Sequence, residues 1–253
     1  MKLKERKIYK GTFAYLTDVG KVRLTNEDQA KVVANAYGDI LLVVCDGLGG
    51  HNQGAYASKL AVDLLTESFL AHHKFFLPFQ AKAFLLRSIE KINKAIYQEA
   101  TTNPHYKDMA TTIVACLIHA NHLYIANIGD SRCYIFRNGH LYALTDDQSY
   151  VNYLVKSGRI SKEESKNHPR KNVLTNALGI YPSTSLELKR TPYAGETILL
   201  CSDGFYNQVR KEETVAILET DDSVNAKCES FISIANANGG SDNIAVALFE
   251  AKL

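Results

Sequence analysis

Four aspartates lie where apolar, strand-like runs of the sequence end or begin. Asp46 and Asp203 directly follow such runs and precede a glycine, and Asp130 and Asp242 lie close to glycines at two other run ends. A strand holds a carboxylate rigidly, and a nearby glycine lets backbone and solvent approach it. Hard divalent cations prefer carboxylate oxygens, and no histidine or cysteine cluster competes for the role. One Asp-Gly pair is more often an ordinary turn, but four such aspartates together indicate a Mg²⁺ or Mn²⁺ site.

The elements that would position these aspartates are recognisable from their apolar patterns. β-Branched runs predict strands at 39–45, 112–118, 122–128, 131–137, 197–202 and 243–249, and Asn138-Gly139 indicates a hairpin turn. Apolar residues at helical spacing predict helices at about 55–70, 80–100 and 223–237. Strands come in hairpin-like runs and helices come in blocks. This order favours antiparallel sheets with helices packed outside over an alternating parallel winding.

Composition limits the class of protein. The chain has 253 residues and a net charge of +2, which argues against nucleic-acid binding through bulk positive charge. No apolar run approaches the about 20 residues of a membrane-spanning helix. The five cysteines show no CxxC spacing, which fits free thiols in a reducing cytosol. We expect a single cytoplasmic domain over residues 1–253, with a polar, flap-like insertion at about 148–170.

An ordered set of motifs resembles one known family. Residues 18–28, DVGKVRLTNED, resemble the DxGxxRxxNED motif of the metal-dependent protein phosphatases, the PPM or type 2C Ser/Thr phosphatases. Further segments follow in the family's order: VCDGLGGH at 44–51, ANIGDSR at 126–132, LTDDQS at 144–149, LTNALG at 174–179, LCSDG at 200–204 and GSDNI at 240–244. Each motif alone is weak, but the ordered set is specific and resembles the compact bacterial branch.

The resemblance implies a fold and assigns roles by position. The implied fold class is α+β, with a central antiparallel β-sandwich flanked by helices in α-β-β-α layers. Arg23 would grip the substrate phosphate, because a guanidinium fork matches phosphate oxygens. Asp28, Asn243 and His51 are candidates for supporting positions around the metals. Two or three Mg²⁺ or Mn²⁺ ions would be held by Glu27, Asp46, the Gly47 carbonyl, Asp130, Asp203 and Asp242, and Asp46 and Asp203 with Arg23 would form the catalytic set.

Several residues carry competing interpretations. His51 could protonate the leaving group, but it lies three residues beyond the family's DGH position, and a role in shaping the loop is favoured. Asn207 could support Asp203 or only make a turn. Asp18 is interpreted as a structural cap or a residue that supports the metal ligands, rather than as a ligand, and Arg132 as a partner in an ion pair.

The resemblance implies hydrolysis of phosphoserine and phosphothreonine in proteins by a metal-activated water, without a phosphoenzyme intermediate. Expected partners are phosphorylated proteins and a cognate Ser/Thr kinase. We expect a monomer that binds neither nucleic acid nor a membrane. Three alternatives stay open: a phosphatase-like binding protein without turnover, a two-metal nuclease, and a phosphomonoesterase acting on small molecules.

Overall fold

Two antiparallel sheets packed face to face form the centre of the structure, a computed structural model that describes residues 8–49 and 53–252. In chain order, the strands are β1 (Gly11–Asp18), β2 (Asp28–Ala34), β3 (Ile40–Leu48), β4 (Ala110–Thr111), β5 (Ile113–His119), β6 (His122–Ile128), β7 (Arg132–Arg137), β8 (His140–Ala143), β9 (Glu187–Pro192), β10 (Thr197–Cys201) and β11 (Ile244–Ala251). One sheet has the order β1-β11-β10-β7-β8. The other has the order β2-β3-β5-β6-β9, with the short β4 paired to the end of β3.

Helices cover the outer face of each sheet. They are α1 (Gln53–Leu70), α2 (Pro78–Thr102), α3 (Tyr150–Lys156), α4 (Lys162–Lys166), α5 (Asp203–Tyr206), α6 (Lys211–Leu218) and α7 (Val224–Ala237). α1 and α2 pack on the sheet that contains β3, and α5, α6 and α7 pack on the sheet that contains β11. The predicted α+β class with α-β-β-α layers is confirmed.

Strand β3 is buried on both faces and so links the apolar core between the sheets to the core beneath the helices. Its side chains alternate between two buried clusters, because successive residues of a strand point to opposite faces. Leu41 and Val43 pack under the helices α1 and α2, whereas Leu42 and Val44 pack between the sheets. A strand buried on both faces reads as a continuous apolar run. This explains why β3, β5 and β11 were predicted close to their observed bounds.

The strands that were not predicted lie mainly at the sheet edges. β1 and β8 are the edges of one sheet, and β2 and β9 are the edges of the other. Edge strands expose one side and carry more polar residues, so their apolar pattern is weaker. The predicted turn at Asn138-Gly139 is confirmed. It joins β7 to β8, with both residues at positive φ (52° and 73°), the geometry of a tight hairpin.

Residues 148–170 contain the two short helices α3 and α4. Ser149 and Ser161 cap them, each accepting a hydrogen bond from a backbone N–H in the first turn. The five cysteines are free and buried. Within residues 8–49 and 53–252, every helix is too short or too polar to cross a bilayer.

The contact between the two sheets should dominate stability. Leu42 is fully buried between them. We expect Leu42→Ala to lower the free energy of unfolding by about 2–5 kcal/mol, because it removes buried surface and leaves a cavity. Urea denaturation measures this change. Leu24→Ala, at a side chain that is 99% exposed, is the control and should change stability by less than about 0.5 kcal/mol. Equal midpoints for the two variants would contradict this account of the core.

Candidate functional site

The register of the two sheets brings the strand-end carboxylates to one end of the sandwich. Asp28 begins β2 and lies directly opposite Asp46 of β3. Asp203 begins α5, directly after β10, and Asp242 precedes β11, the neighbour of β10. Asp130 lies in the turn between β6 and β7. All five therefore lie close enough to perturb one another where the two sheets end. The strand-end pattern had singled out four of them, and Asp28 is the fifth.

The backbone of Asp46 is fixed by two hydroxyls that face it from the next strand. Its N–H donates to Thr112 Oγ1 at 2.9 Å, and its carbonyl accepts from Thr111 Oγ1 at 2.9 Å. Thr112 Oγ1 in turn bonds Ser131 Oγ at 2.8 Å, next to Asp130. These hydroxyls satisfy the backbone and leave the Asp46 carboxylate for other partners.

Asp28 is buried and joins the two sheets through a serine. Ser202 Oγ donates to Asp28 Oδ2 at 2.6 Å and accepts from Ala245 N–H at 2.9 Å. The bond crosses the sandwich, because Asp28 belongs to one sheet and Ser202 directly follows β10 of the other. Asp28 therefore ties the ends of the two sheets together directly beneath the other carboxylates.

The loop before β2 is held by Asn243. Its side-chain amide donates to the carbonyls of Val19 and Thr25, and its Oδ1 accepts from Glu27 N–H, each at 2.9 Å. Gly204 allows the close approach on which this packing depends, since a Cβ there would overlap the Asn243 carbonyl oxygen. Asn243 thus holds the loop that carries Arg23 and Glu27. This agrees with the supporting role that the family resemblance implied for it.

Arg23 is half exposed at the rim of the cleft. Its guanidinium donates to Asp242 Oδ2 at 2.9 Å. Burial lowers the pKa of Arg23, but the charge and hydrogen bond of Asp242, followed by the charges of Glu27 and Asp46, raise it above its ordinary value. Asp18 faces away from the cluster: its Oδ1 accepts from Gly20 N–H at 2.8 Å and from Asn236 at 3.0 Å. This is the structural cap that the sequence indicated.

The carboxylates perturb one another strongly. Burial raises the pKa of Asp46 and of Asp28 well above the ordinary range, and the neighbouring aspartates raise both further. Burial, followed by the charge of Asp242, raises the pKa of Asp203 to about 6. Burial, followed by Asp203 and Asp147, raises the pKa of Asp130 to about 7. The site therefore concentrates negative charge that positive charge or protons must offset.

The residues present fit a divalent metal. The donors are carboxylates and backbone carbonyls, the ligands of Mg²⁺ and Mn²⁺. Glu27 Oε1 is buried without a hydrogen-bond partner in the described chain, although the amides of Gly54 and Ala55 lie near its carboxylate. A buried carboxylate oxygen without a hydrogen-bond partner can be satisfied by a bound cation. Within the described ranges, no three acidic, cysteine or histidine side chains lie close enough together to hold a metal ion without some rearrangement.

The flap side of the cleft is anchored by Arg132. Its guanidinium makes two hydrogen bonds to Asp147, at 2.8 and 2.7 Å, and stacks 3.4 Å from the ring centre of Tyr206. The Tyr206 hydroxyl donates to the Asp130 carbonyl at 3.1 Å. The expected ion pair of Arg132 is therefore present, and it links the flap to the Asp130 turn.

A cavity of about 460 Å³ opens between the carboxylates and the flap. Asp130, Asp203 and Asp242 line it together with Lys166 and Lys171. Asn207 Nδ2 donates to Asp203 Oδ2 at 3.2 Å. Of the two interpretations of Asn207, support of Asp203 or only a turn, this contact favours the first. His51 lies outside the described residues.

Sequence reasoning missed several residues that shape the site. The sequence placed Thr112 and Ser202 only within predicted strands. Their roles depend on which residue each side chain faces. Lys166 and Lys171 gave no signal beyond the charge of the flap. Tyr206 gave none, because its partner Arg132 lies in another element.

Comparison with known proteins identifies the family. The sequence model described as Protein phosphatase 2C matches residues 21–248. The chain belongs to the protein phosphatase 2C family. It is 38% identical to the Serine/threonine phosphatase stp of Listeria monocytogenes over 240 residues, 94% of this chain and 95% of that one. The family expected from the ordered motifs is confirmed, and with it the prediction of a protein-serine/threonine phosphatase.

Solved structures agree with the fold. The serine/threonine phosphatase of S. agalactiae superposes with a TM-score of 0.90 at 34% identity, covering 96% of this chain and 100% of that one. The serine/threonine phosphatase Stp1 of Staphylococcus aureus gives a TM-score of 0.90 at 32% identity, covering 99% and 100%. Metal dependence is a general property of this family.

The hydroxyl network around Asp46 should be needed for both stability and activity. Thr112→Val keeps the shape but leaves the Asp46 N–H buried without an acceptor, which costs about 1–3 kcal/mol. We expect a lower free energy of unfolding in denaturant and a lower kcat. Thr101→Val, which removes an exposed hydroxyl from α2, is the matched control. A Thr112→Val variant as stable and active as wild type would show that this network does not position Asp46.

Proposed function

We propose that the chain hydrolyses phosphoserine and phosphothreonine in proteins at the carboxylate cleft, with two or three Mg²⁺ or Mn²⁺ ions. The observation that carries the proposal is the cluster of buried carboxylates with raised pKa values beside the exposed guanidinium of Arg23. Such a cluster binds cations, and the adjacent guanidinium suits a phosphate. The proposed metal ligands are Glu27, Asp46, the Gly47 carbonyl, Asp130, Asp203 and Asp242.

Bound divalent cations would supply Lewis acidity, activating water near neutral pH and offsetting charge on the phosphoryl group. The chain's own residues would hold the substrate. Arg23 is 53% exposed at the side chain, so it can exchange its bond with Asp242 for one with phosphate oxygens. Lys166 and Lys171 line the same cavity as the carboxylates and would attract the dianionic group.

A cysteine nucleophile is disfavoured by the placement of the cysteines. All five are buried in the core, and burial raises the pKa of Cys45 and Cys201, which disfavours the reactive thiolate. This supports attack by water, without a phosphoenzyme. The acidic cleft also disfavours a nuclease, since nucleic acid requires positive charge along its path.

We further propose that residues 1–253 work as one domain, with 148–170 as a flap over the cleft. The cavity supports this, because residues from the flap and from both strand ends line it together. We also propose that the chain works in the cytoplasm, which fits the free thiols, and that it is a monomer that opposes a Ser/Thr kinase.

Phosphatase activity should depend on both a divalent metal and Asp203. With Mn²⁺, we expect wild type to hydrolyse both p-nitrophenyl phosphate and a phosphothreonine peptide, and a chelator should abolish both activities. Asp203→Ala should lose about 100-fold or more of kcat/KM, because losing a proposed ligand should cost at least as much as losing an outer-shell partner. Asp221→Ala, outside the cleft, is the control.

Two outcomes would decide against this proposal. Equal, metal-independent activity in wild type and Asp203→Ala would refute the mechanism. No activity in either protein, with normal folding, would support a binding protein without turnover.

Arg23 should act on the phosphate. Arg23→Ala removes a hydrogen bond between charged groups, worth about 1.5–3 kcal/mol, or roughly 10–100-fold in kcat/KM. Arg23→Lys keeps the charge but loses the fork and should recover only part of the activity. Steady-state kinetics on p-nitrophenyl phosphate measure both variants. Unchanged kinetics in Arg23→Ala would exclude a phosphate contact.

A further inference from the structure

The connection between α1 and α2 exposes a compact group of large apolar side chains. Phe76 is 74% exposed, Leu77 50% and Phe79 64%. Leu86 is also exposed, and it lies seven residues after Phe79, on the same side of α2. We call the surface formed by residues 74–86 the distal corner. Contiguous exposed apolar groups of this kind usually mark an interaction site.

The apolar side chains of the distal corner are held outward. Phe75 is buried and packs against the rings of Phe84 and His119, so it anchors the connection to the core. Gln80 Oε1 accepts from the N–H groups of Phe76 and Leu77, at 2.7 and 2.9 Å. The anchored backbone prevents Phe76 and Leu77 from turning inward.

The charges of this segment have one sign. Between Glu67 and Glu90 the chain carries Lys74, Lys82 and Arg87 and no acidic residue. Lys74 lies 5.9 Å from the ring centre of Phe76, and Lys82 follows Phe79 by three residues on α2. Lysines flanking exposed aromatic residues fit a surface that is apolar inside and negatively charged outside.

A cavity of about 640 Å³ adjoins the distal corner. Lys74 lines it together with Lys10, Ile8 and Phe13, and among the residues that the structure describes no aspartate or glutamate lines it. It therefore offers two ammonium groups beside apolar side chains, a combination that suits a lipid phosphate and the start of an acyl chain.

We propose that the distal corner is a reversible binding surface for an anionic lipid bilayer. Phe76, Leu77 and Phe79 enter the headgroup region, and Lys74 and Lys82 contact lipid phosphates. This proposal replaces the sequence-based expectation of no membrane partner.

The proposed attachment leaves the cleft accessible. Ile40, which lines the cavity, and Asp46 lie near opposite ends of β3, roughly 20 Å apart at the rise of a strand. A chain bound through the distal corner therefore presents its carboxylate cleft away from the bilayer.

Co-sedimentation of the full chain with lipid vesicles tests the proposal. We expect binding to vesicles that contain phosphatidylglycerol, little binding to phosphatidylcholine alone, and release by salt. The double variant Phe76→Ser/Phe79→Ser should bind about tenfold or more weakly, because two apolar side chains are lost. Lys74→Gln/Lys82→Gln should weaken binding to the anionic vesicles.

The matched control is Tyr142→Ser/Tyr181→Ser, which removes two exposed aromatic side chains elsewhere and should bind as wild type does. Hydrolysis of p-nitrophenyl phosphate in solution reports folding and should be unchanged in every variant. Failure of wild type to bind, equal binding to both vesicle types, or equal binding by the Phe76→Ser/Phe79→Ser variant would each overturn the proposal. So would self-association or protein binding that depends on these residues without vesicle binding.

Insertion has a direct spectroscopic readout, since the chain contains no tryptophan. We expect Leu77→Trp to show a blue-shifted and stronger emission on adding anionic vesicles, and Tyr142→Trp to show no change. Emission from Leu77→Trp that stays at the wavelength of exposed tryptophan, in a sample that sediments with vesicles, would overturn insertion of the loop.

Discussion

Mutual repulsion among buried carboxylates is the constraint on which the catalytic end of this structure depends. Asp28 and Asp46 face each other across neighbouring strands, and Asp203 and Asp130 lie close enough to raise the pKa of both. Nothing in the apolar core favours this arrangement, since burial alone already disfavours each charge. The surrounding groups must therefore hold the carboxylates together. Arg23 offsets one charge, and the orphaned oxygen of Glu27 marks where a cation would offset more.

The two sheets supply the required rigidity. The bond from Ser202 to Asp28 crosses the sandwich, so neither sheet can slide without breaking it. Asn243 closes the loop before β2, and its contact with Gly204 requires a residue without a side chain. Hydrogen bonds to the backbone, such as that from Asp46 to Thr112, fix position without neutralising the carboxylate. The positions of the carboxylates and the charge on them are thus controlled by different groups.

What the sequence could predict follows from which signals are local. β3 and β11 are buried on both faces, so their continuous apolar runs predicted them as strands. The aspartates beside these runs could then be singled out as site candidates. Edge strands such as β1 left a weaker pattern and were not predicted. Arg23 and Glu27 follow no apolar run, so only the family resemblance assigned them roles. Thr112 and Ser202 could not be found at all, because the importance of a hydroxyl depends on strand register and sheet packing.

The two ends of the sandwich differ in charge and polarity. The distance between them allows both surfaces to work in one molecule. The cleft is acidic and would be repelled by an anionic bilayer, whereas the distal corner is basic and apolar. Charges in water are screened within about 8 Å at physiological ionic strength. The length of β3, roughly 20 Å between Ile40 and Asp46, exceeds twice that distance. The carboxylates therefore do not oppose binding through the distal corner, and their repulsion from the bilayer favours the orientation in which the cleft faces away from it.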